Sequence, residues 1–494
     1  FLSGQLVLTP TDLSAFLGCR HRTALDLAAV HGALTKPMWI DPFAQTLADR
    51  GLEHEQRYLD ALRADGRDVV EIAQEGSLAS QVAATSAAMA AGADAIYQAA
   101  LAMPGWFGRA DVLVRVDRPS ALGAWSYEPH DTKLARETRG GAILQLSAYA
   151  DLLTHMQGVT PERFYVVMPA PAADPNAAPD FRVEPFRVAD YAAYYRTVCA
   201  DLLAWVAAGH EQGRESSYPD AVDQCDVCRW WQRCNDRRRA DDHLSFVAGM
   251  SRTHAAEFTT HEAPTLARVA VLPQPLPFTP TRGSRETFER LRDQARLQHQ
   301  QRTSNTPVHE LLPVEPGLGL CRLPAPSTGD LFLDLEGAPF ARDGGREYLF
   351  GIWCDGTYRR WWAFDDAEER AAFDAVMDLI EQRWAADPGM HVYHFAPYEP
   401  SAFKRLMGRY VSRADLLDRL LRGERFVDLL AVTRQALRAG VESYSIKQLE
   451  PFYGFARAVP LKDARQHLTT FELALERHAP QTIPDETREA VAGY

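Results

Sequence analysis

The chain has 494 residues, 46% of them apolar and 24% charged, with a formal net charge of −13. That length suits two to four domains, each with its own core, and no apolar run approaches the ~20 residues of a membrane-spanning helix. The negative total weighs only weakly against a nucleic-acid partner, because binding depends on local basic stripes such as Arg20-His21-Arg22, Arg237-Arg238-Arg239 and Lys404/Arg405/Arg409.

The chain opens at Phe1 with no initiator Met and no signal peptide, so its start is read as trimmed. Seven cysteines without a paired framework suit a reducing cytosol, which makes the expected location cytoplasmic. Thr11-Asp12 predicts an N-cap opening a helix that carries Cys19. An amphipathic helix over 47–62 holds Gly51, His54 and Glu55, and strands follow over 94–103, 107–117 and 125–133. A helix over 143–156 carries Leu146, Tyr149 and Leu153; a strand over 164–169 and a helix over 190–208 come next. This alternation predicts an α/β fold with a mixed central sheet.

Residues 243–270 read as two short helices around a glycine turn, similar to a helix-hairpin-helix whose turn amides grip a phosphate backbone. Pro-rich stretches at 273–280 and 312–326 read as linkers around a charged helix at 284–301. A new domain starts near Gly329: a strand over 331–336, a meander over 348–354 and 358–364, a helix over 366–384, a strand over 390–395 and a helix over 400–410.

Three groups of residues carry chemistry. Cys225, Cys228 and Cys234 form a C-x2-C-x5-C cluster, and with the distant Cys19 they would tie both ends of one domain to a single metal centre. Cys199, Cys321 and Cys354 have no such pattern and read as buried or incidental. Asp131-Thr-Lys133 ends a strand, and period-2 geometry turns its carboxylate and ammonium to one face. Asp111 at the head of the neighbouring strand completes a carboxylate pair for Mg²⁺ or Mn²⁺, with His54 as a further ligand. Asp334-Leu-Glu336 is a second period-2 acidic pair, suited to two-metal phosphodiester hydrolysis.

The ordered series G-x-x-H-E, G-R-A-D, D-T-K and Q-L-S-A-Y resembles the RecB-like branch of the PD-(D/E)XK nuclease superfamily. The resemblance implies a restriction-endonuclease-like mixed sheet with flanking helices, a Gln-x-x-x-Tyr pair at Gln145 and Tyr149, and Glu55 as a lesser candidate. The iron-sulfur subset of that superfamily has one cysteine before these motifs and three after, so a [4Fe-4S] cluster on Cys19, Cys225, Cys228 and Cys234 is implied, with a structural zinc site as runner-up. Asp334 and Glu336 resemble the first motif of ribonuclease H-like DEDD exonucleases. Glu399 then stands where that family has its second acid, Asp428 is a lesser candidate, and the last acid is expected beyond Tyr494.

The arrangement as a whole resembles bacterial RecB-like nucleases with an appended exonuclease domain. It implies a nuclease domain over 1–240, a helical connector over 241–328 and a truncated ribonuclease H-like α/β domain over 329–494. The expected activity is metal-dependent hydrolysis of single-stranded or end-bearing DNA in repair or defence. The expected partners are DNA, RNA at the second domain, and a helicase in the full-length chain or in trans. The alternatives are a non-catalytic or redox-responsive nucleic-acid-binding module, a zinc-stapled structural subunit, and an RNA exonuclease acting through the second domain.

Overall fold

Two stretches of alternating apolar residues each build a sheet in the computed structural model, which describes residues 6–38, 42–135, 137–170, 181–208, 217–342, 344–457, 459–477 and 479–494. The start read as trimmed, at Phe1, lies outside the described residues. The chain divides into two compact units, Phe1–Arg238 and Arg239–Tyr494.

In the first unit, helices α1 (Pro10–Gly18), α2 (Arg20–Val30), α3 (Pro42–Ala64) and α4 (Leu78–Ala91) accompany strands β1 (Val69–Glu71), β2 (Ala95–Met103), β3 (Trp106–Val116) and β4 (Ser126–Thr132). Then come α5 (Gly140–Gln157), β5 (Arg163–Pro169), β6 (Phe181–Arg187), α6 (Val188–Ala207) and α7 (Trp231–Ala240). Among the described residues the strands form a six-stranded sheet in sequence order; β1–β2 and β4–β5 are parallel and the other pairs antiparallel. Strand alternation sorts the core into two faces. Val112 and Val114 pack with Tyr58, Leu59 and Leu62 of α3, while Leu113 packs with Leu144, Leu152 and Leu153 of α5.

The predicted N-cap moves by two residues. Thr9 precedes α1, and Asp12, at the third helical position, accepts from Thr9 N at 2.8 Å, the reciprocal half of a capping box. Cys19 is not carried within a helix. It stands between α1 and α2, where its sulfur accepts from Arg22 N at 3.4 Å as the N-cap of α2.

The second unit begins with α8 (Arg252–Thr260), α9 (Leu266–Ala270), α10 (Arg285–Ser304) and β7 (His309–Leu311). Gly249, with φ 80°, lies between a short 3-10 turn at Leu244–Phe246 and Ser251, the N-cap of α8, whereas the turn between α8 and α9 contains no glycine. These helices build a small core around Phe258, Phe288 and Leu291. They join the rest of the unit through β7 paired with β13 (Leu437–Ala439), and through Gln294, whose amide donates to the Ala439 carbonyl at 2.8 Å.

The main sheet holds β8 (Leu331–Ala338), β9 (Arg346–Cys354), β10 (Thr357–Trp362), β11 (Val392–His394) and β12 (Phe426–Asp428), in the order β10-β9-β8-β11-β12. The strands β8, β11 and β12 run parallel, while β8, β9 and β10 form an antiparallel meander. Helices α11 (Asp366–Ala386), α12 (Tyr398–Tyr410) and α13 (Ala414–Arg422) bury Phe373, Phe403 and Leu417 with Leu331, Leu333 and Leu335 of β8. That leaves Asp334 and Glu336 on the opposite face. Short helices α14 (Leu429–Ala436) and α15 (Ile446–Leu449) follow, then α16 (Leu461–Glu476), which contacts β8, and α17 (Asp485–Ala492). Among the described residues no helix is long and apolar enough to cross a membrane.

Candidate functional site

In the first unit the acid pair sits where the β2–β3 ladder is broken. Tyr97 pairs with Val112 and Ala99 with Ala110, but Gln98, opposite Asp111, adopts φ 53° and leaves the ladder. A non-glycine residue in the left-handed region is strained, and such strain concentrates at functional sites. Released from pairing, Gln98 donates its amide to Glu55 on α3. Asp111 leans the other way: its Oδ2 accepts from Thr132 N at 2.8 Å and from Thr132 Oγ1 at 2.9 Å.

Asp131 is fully buried, and neither of its oxygens accepts a well-formed hydrogen bond among the described residues. Its companion is the Lys133 ammonium, 2.5 Å from Oδ2. Burial and then the Asp111 charge raise the Asp131 carboxyl above its usual range, against the pull of Lys133. Burial alone would depress Lys133, but Asp131 and Asp111 outweigh it and keep the ammonium protonated. Glu55 is also raised, by burial and then by Asp111, which brings it into the same electrostatic cluster. On α5, Gln145 donates to Tyr149 OH at 3.1 Å, and Tyr149 feels the charges of Asp131 and Asp111, so the predicted Gln-x-x-x-Tyr pair lies beside the acids.

His54 goes elsewhere. It is buried, with its Nε2 donating to the Val167 carbonyl at 3.1 Å and its ring 5.5 Å from Phe181. That same carbonyl accepts Lys133 N at 2.9 Å, so His54 braces the strand end that presents the lysine. His130 stacks on Tyr58 of α3, and strand alternation therefore turns Asp131 to the other face, toward α5. Of the predicted ligand set of His54, Asp111 and Asp131, the His54 Nε2 is thus taken up by the Val167 carbonyl while its Nδ1 has no hydrogen-bond partner among the described residues, and Glu55 of α3 is the neighbour that feels the Asp111 charge.

The four cysteines of the predicted cluster line one cavity of about 20 Å³, walled by Trp230 and Trp231. Burial and then Cys228 push Cys234 up to about 12, and Cys228 is raised by burial as well, so these groups are thiols when no cation is bound. The segment is pinned independently of any metal. Trp230 Nε1 donates to Asp26 Oδ1 on α2 at 2.9 Å, and Gly18 has no side chain where a Cβ would run into the Gln224 amide. Four converging thiols are the right donor chemistry for iron or zinc. Even so, no three His, Cys, Asp or Glu side chains among the described residues are drawn together tightly enough to hold a metal ion, here or at either acid site.

In the second unit a bulge follows Glu336, where the β8–β9 register shifts. Asp334 lies on the exposed face of β8, yet desolvation and then Glu399 raise it to about 6. Desolvation and then Asp334 raise Glu336 to about 8. Glu399, near the start of α12, is buried with one oxygen 3.4 Å from His394 Nδ1, and His394 is itself fastened to the Ala396 carbonyl at 2.5 Å. The three predicted acids therefore share one electrostatic site.

Asp428 does other work. Its Oδ1 accepts from Ala396 N at 3.1 Å, Leu430 N at 2.9 Å and Ala431 N at 3.2 Å, which makes it the N-cap of α14. The sequence reading puts the last acid past Tyr494 and misses Glu472. This residue of α16 is raised to about 7 by burial and then by Glu476, and its charge reaches Glu336. An acid among Leu468, Phe471 and Leu475, on the buried face of a helix, was the available signal. Tyr358 was also missed: it is raised to about 12 by burial and then by Asp334, while Lys447 feels Glu336 and Asp334.

Residues 331–481 match the family model of the RNase_H superfamily. No curated protein matches the chain. The matched segment, which contains β8 to α16, is a ribonuclease H-like domain, the type found in nucleases that act on nucleic acid.

Proposed function

We propose that this chain is a divalent-metal-dependent nuclease that hydrolyses phosphodiester bonds of DNA, with single-stranded or end-bearing DNA as substrate. The observation that carries the reading is Asp131: a fully buried carboxylate whose close cationic companion among the described residues is the Lys133 ammonium, with a second aspartate in the same electrostatic cluster. Two neighbouring carboxylates, one of them fully buried, are only partly offset by one ammonium, and a bound cation would lower the remaining cost. The ribonuclease H-like segment supports nucleic acid as the substrate class.

In this reading Asp111 and Asp131 would hold Mg²⁺ or Mn²⁺ at the first site, with Glu55 drawn in as the ion binds. Such an ion would supply Lewis-acid polarisation of the phosphate and a more acidic water. Lys133 places its ammonium against the charge that builds on the phosphate oxygens. His54 fixes the strand end through the Val167 carbonyl, and Gln145 and Tyr149 orient the substrate side. Asp334, Glu336, Glu399 and Glu472 make up a second acidic site for the ribonuclease H-like domain, on DNA or RNA. Cys19, Cys225, Cys228 and Cys234 would hold a [4Fe-4S] cluster, or failing that zinc, which closes a loop of about 200 residues and reinforces the Trp230 anchor. A cytoplasmic role in repair or defence, with a helicase supplying single strands, fits seven cysteines that form no disulfide.

The test is hydrolysis of end-labelled single-stranded and duplex DNA with Mn²⁺ or Mg²⁺ by wild type, Lys133→Ala and Asp334→Ala. Loss of cleavage with Lys133→Ala alone supports the first site as the working nuclease. Cleavage indifferent to Lys133 overturns that assignment, and no cleavage by any form favours a nucleic-acid-binding module. Absorbance near about 400 nm separates an iron cluster from zinc.

A further inference from the structure

The edge strand β12 borders a cavity of about 730 Å³ that adjoins the second acidic site. One wall is the loop at 317–324, docked onto the end of α14. Gly319 N donates to Gln435 Oε1 at 3.1 Å, and a Cβ at Gly319, where φ is +55°, would meet the Gln435 carbonyl at 2.9 Å. Glycine is therefore required for this close approach.

Two arginines line the cavity from opposite sides of the chain: Arg322 in the loop and Arg425 immediately before β12. Among the described residues neither forms an ion pair with a carboxylate. Arg322 reaches only the Gln435 amide oxygen, at 3.4 Å. Arg425 Nη1 is 3.4 Å from His391 Nε2, its carbon lies 5.6 Å from the Trp384 ring, and its Nε is buried with no hydrogen-bond partner. A half-buried guanidinium without a counter-charge is expensive, and its planar fork matches phosphate oxygens. Two carboxylates also line the space. Asp428 has one oxygen occupied by three backbone amides, and Glu424 is exposed on a turn. Phe426 and Pro400 add apolar surface for a sugar or base. The volume is within the range of about 300–1,000 Å³ typical of small-ligand pockets.

His394 lines the cavity and also faces Glu399, whereas Asp334 and Glu336 do not line it. The cavity thus abuts the acids without containing them. We infer that it is a subsite for an intact nucleotide of a single-stranded nucleic acid, next to the one being cut, with Arg322 and Arg425 gripping its phosphate. This rests on reading the second unit as a nuclease.

The experiment measures binding of fluorescein-labelled oligothymidylate to the full chain in EDTA, alongside N-ethylmaleimide labelling of Cys321, an exposed thiol that lines the cavity. Arg322→Ala and Arg425→Ala should each weaken binding by roughly tenfold and lower the slope of log affinity against log salt by about 0.7. Bound oligothymidylate should shield Cys321 in the wild-type chain, a readout that needs no mutant to fold. Wild-type affinity in the exposed Arg322→Ala variant, or unshielded Cys321 with oligonucleotide bound, overturns the subsite. Shielding by thymidine monophosphate but not by the oligonucleotide also overturns it, in favour of a free-nucleotide pocket. If the oligonucleotide shields Cys321 in a chain that cleaves nothing, the nuclease reading fails and only the cavity's binding of single strands stands; cleavage without shielding leaves the nuclease reading and overturns the subsite.

Discussion

Asp131 and Asp334 both stand on strands with a second charged residue two positions on, but the partner differs in sign. Asp131 has Lys133 at 2.5 Å, so the first site carries its own cation. Asp334 has Glu336, and with Glu399 and Glu472 the second site accumulates carboxyls raised to about 6, 8 and 7 at Asp334, Glu336 and Glu472. Lys447 is within electrostatic reach but forms no ion pair with them among the described residues. The same strand geometry therefore produces one site partly neutralised by its own lysine and another whose clustered carboxyls hold their protons more tightly until a cation offsets their charge.

The largest expected effect breaks the first half of this comparison. Lys133→Ala should lower first-site cleavage by roughly 10²–10³-fold, the range seen when one donor to a developing oxyanion is removed. End-labelled DNA in saturating Mn²⁺ reads this out, and an unchanged rate would exclude the first site from catalysis.

The second half is sharpened by pH. The Glu336 carboxyl is higher in the folded chain, about 8, than its ordinary 4.5. Its contribution to stability is therefore complete below about pH 4.5 and is lost as pH rises through about 8. Thermal melts of the metal-free chain should show lower melting temperatures for the second unit at pH 9 than at pH 5. Mg²⁺ should restore the loss at pH 9, and Glu336→Gln should flatten both responses. A pH-independent melt would mean that these acids are not desolvated together.

A smaller effect concerns the cysteine segment. Trp230→Phe removes the donor to Asp26 and should cost about 1–3 kcal/mol in the first unit, measured by urea unfolding. If bound metal rather than Trp230 carries the anchoring, Cys225→Ser will cost more than Trp230→Phe. The smallest effect separates capping from chemistry: Asp428→Ala should cost about 1 kcal/mol of stability. Its metal dependence should stay at the wild-type value, and a lost metal response would return Asp428 to the acidic site.

Much of the architecture was legible because local pattern and tertiary role agree. Alternation through 107–117 and 331–336 marked strands that became β3 and β8, and the spacing of Asp131 and Lys133 did place them together. His54 and Glu55 were harder, since they are adjacent on one helix and only the packing of α3 decides which reaches the acids. Asp428 looked like a ligand because an acid after a short strand suits both roles. Three backbone amides from two segments claim its oxygen, and that cannot be seen until the segments meet. The connector was expected to be a separate region, whereas Gln294 and the β7–β13 pair bind it into the second unit.

What the sequence by itself determined is periodic and local: which residues share a strand face, where helices are amphipathic, and which acids, lysine and cysteines are available at chemical spacing. The tertiary structure alone decided which of them face one another. It took Gln98 out of its ladder to meet Glu55, buried Asp131 against Lys133, and brought Glu472 within electrostatic range of Glu336. The physical reason is that burial and charge coupling depend on distances through space between segments far apart in the chain, whereas periodicity constrains only neighbours along it.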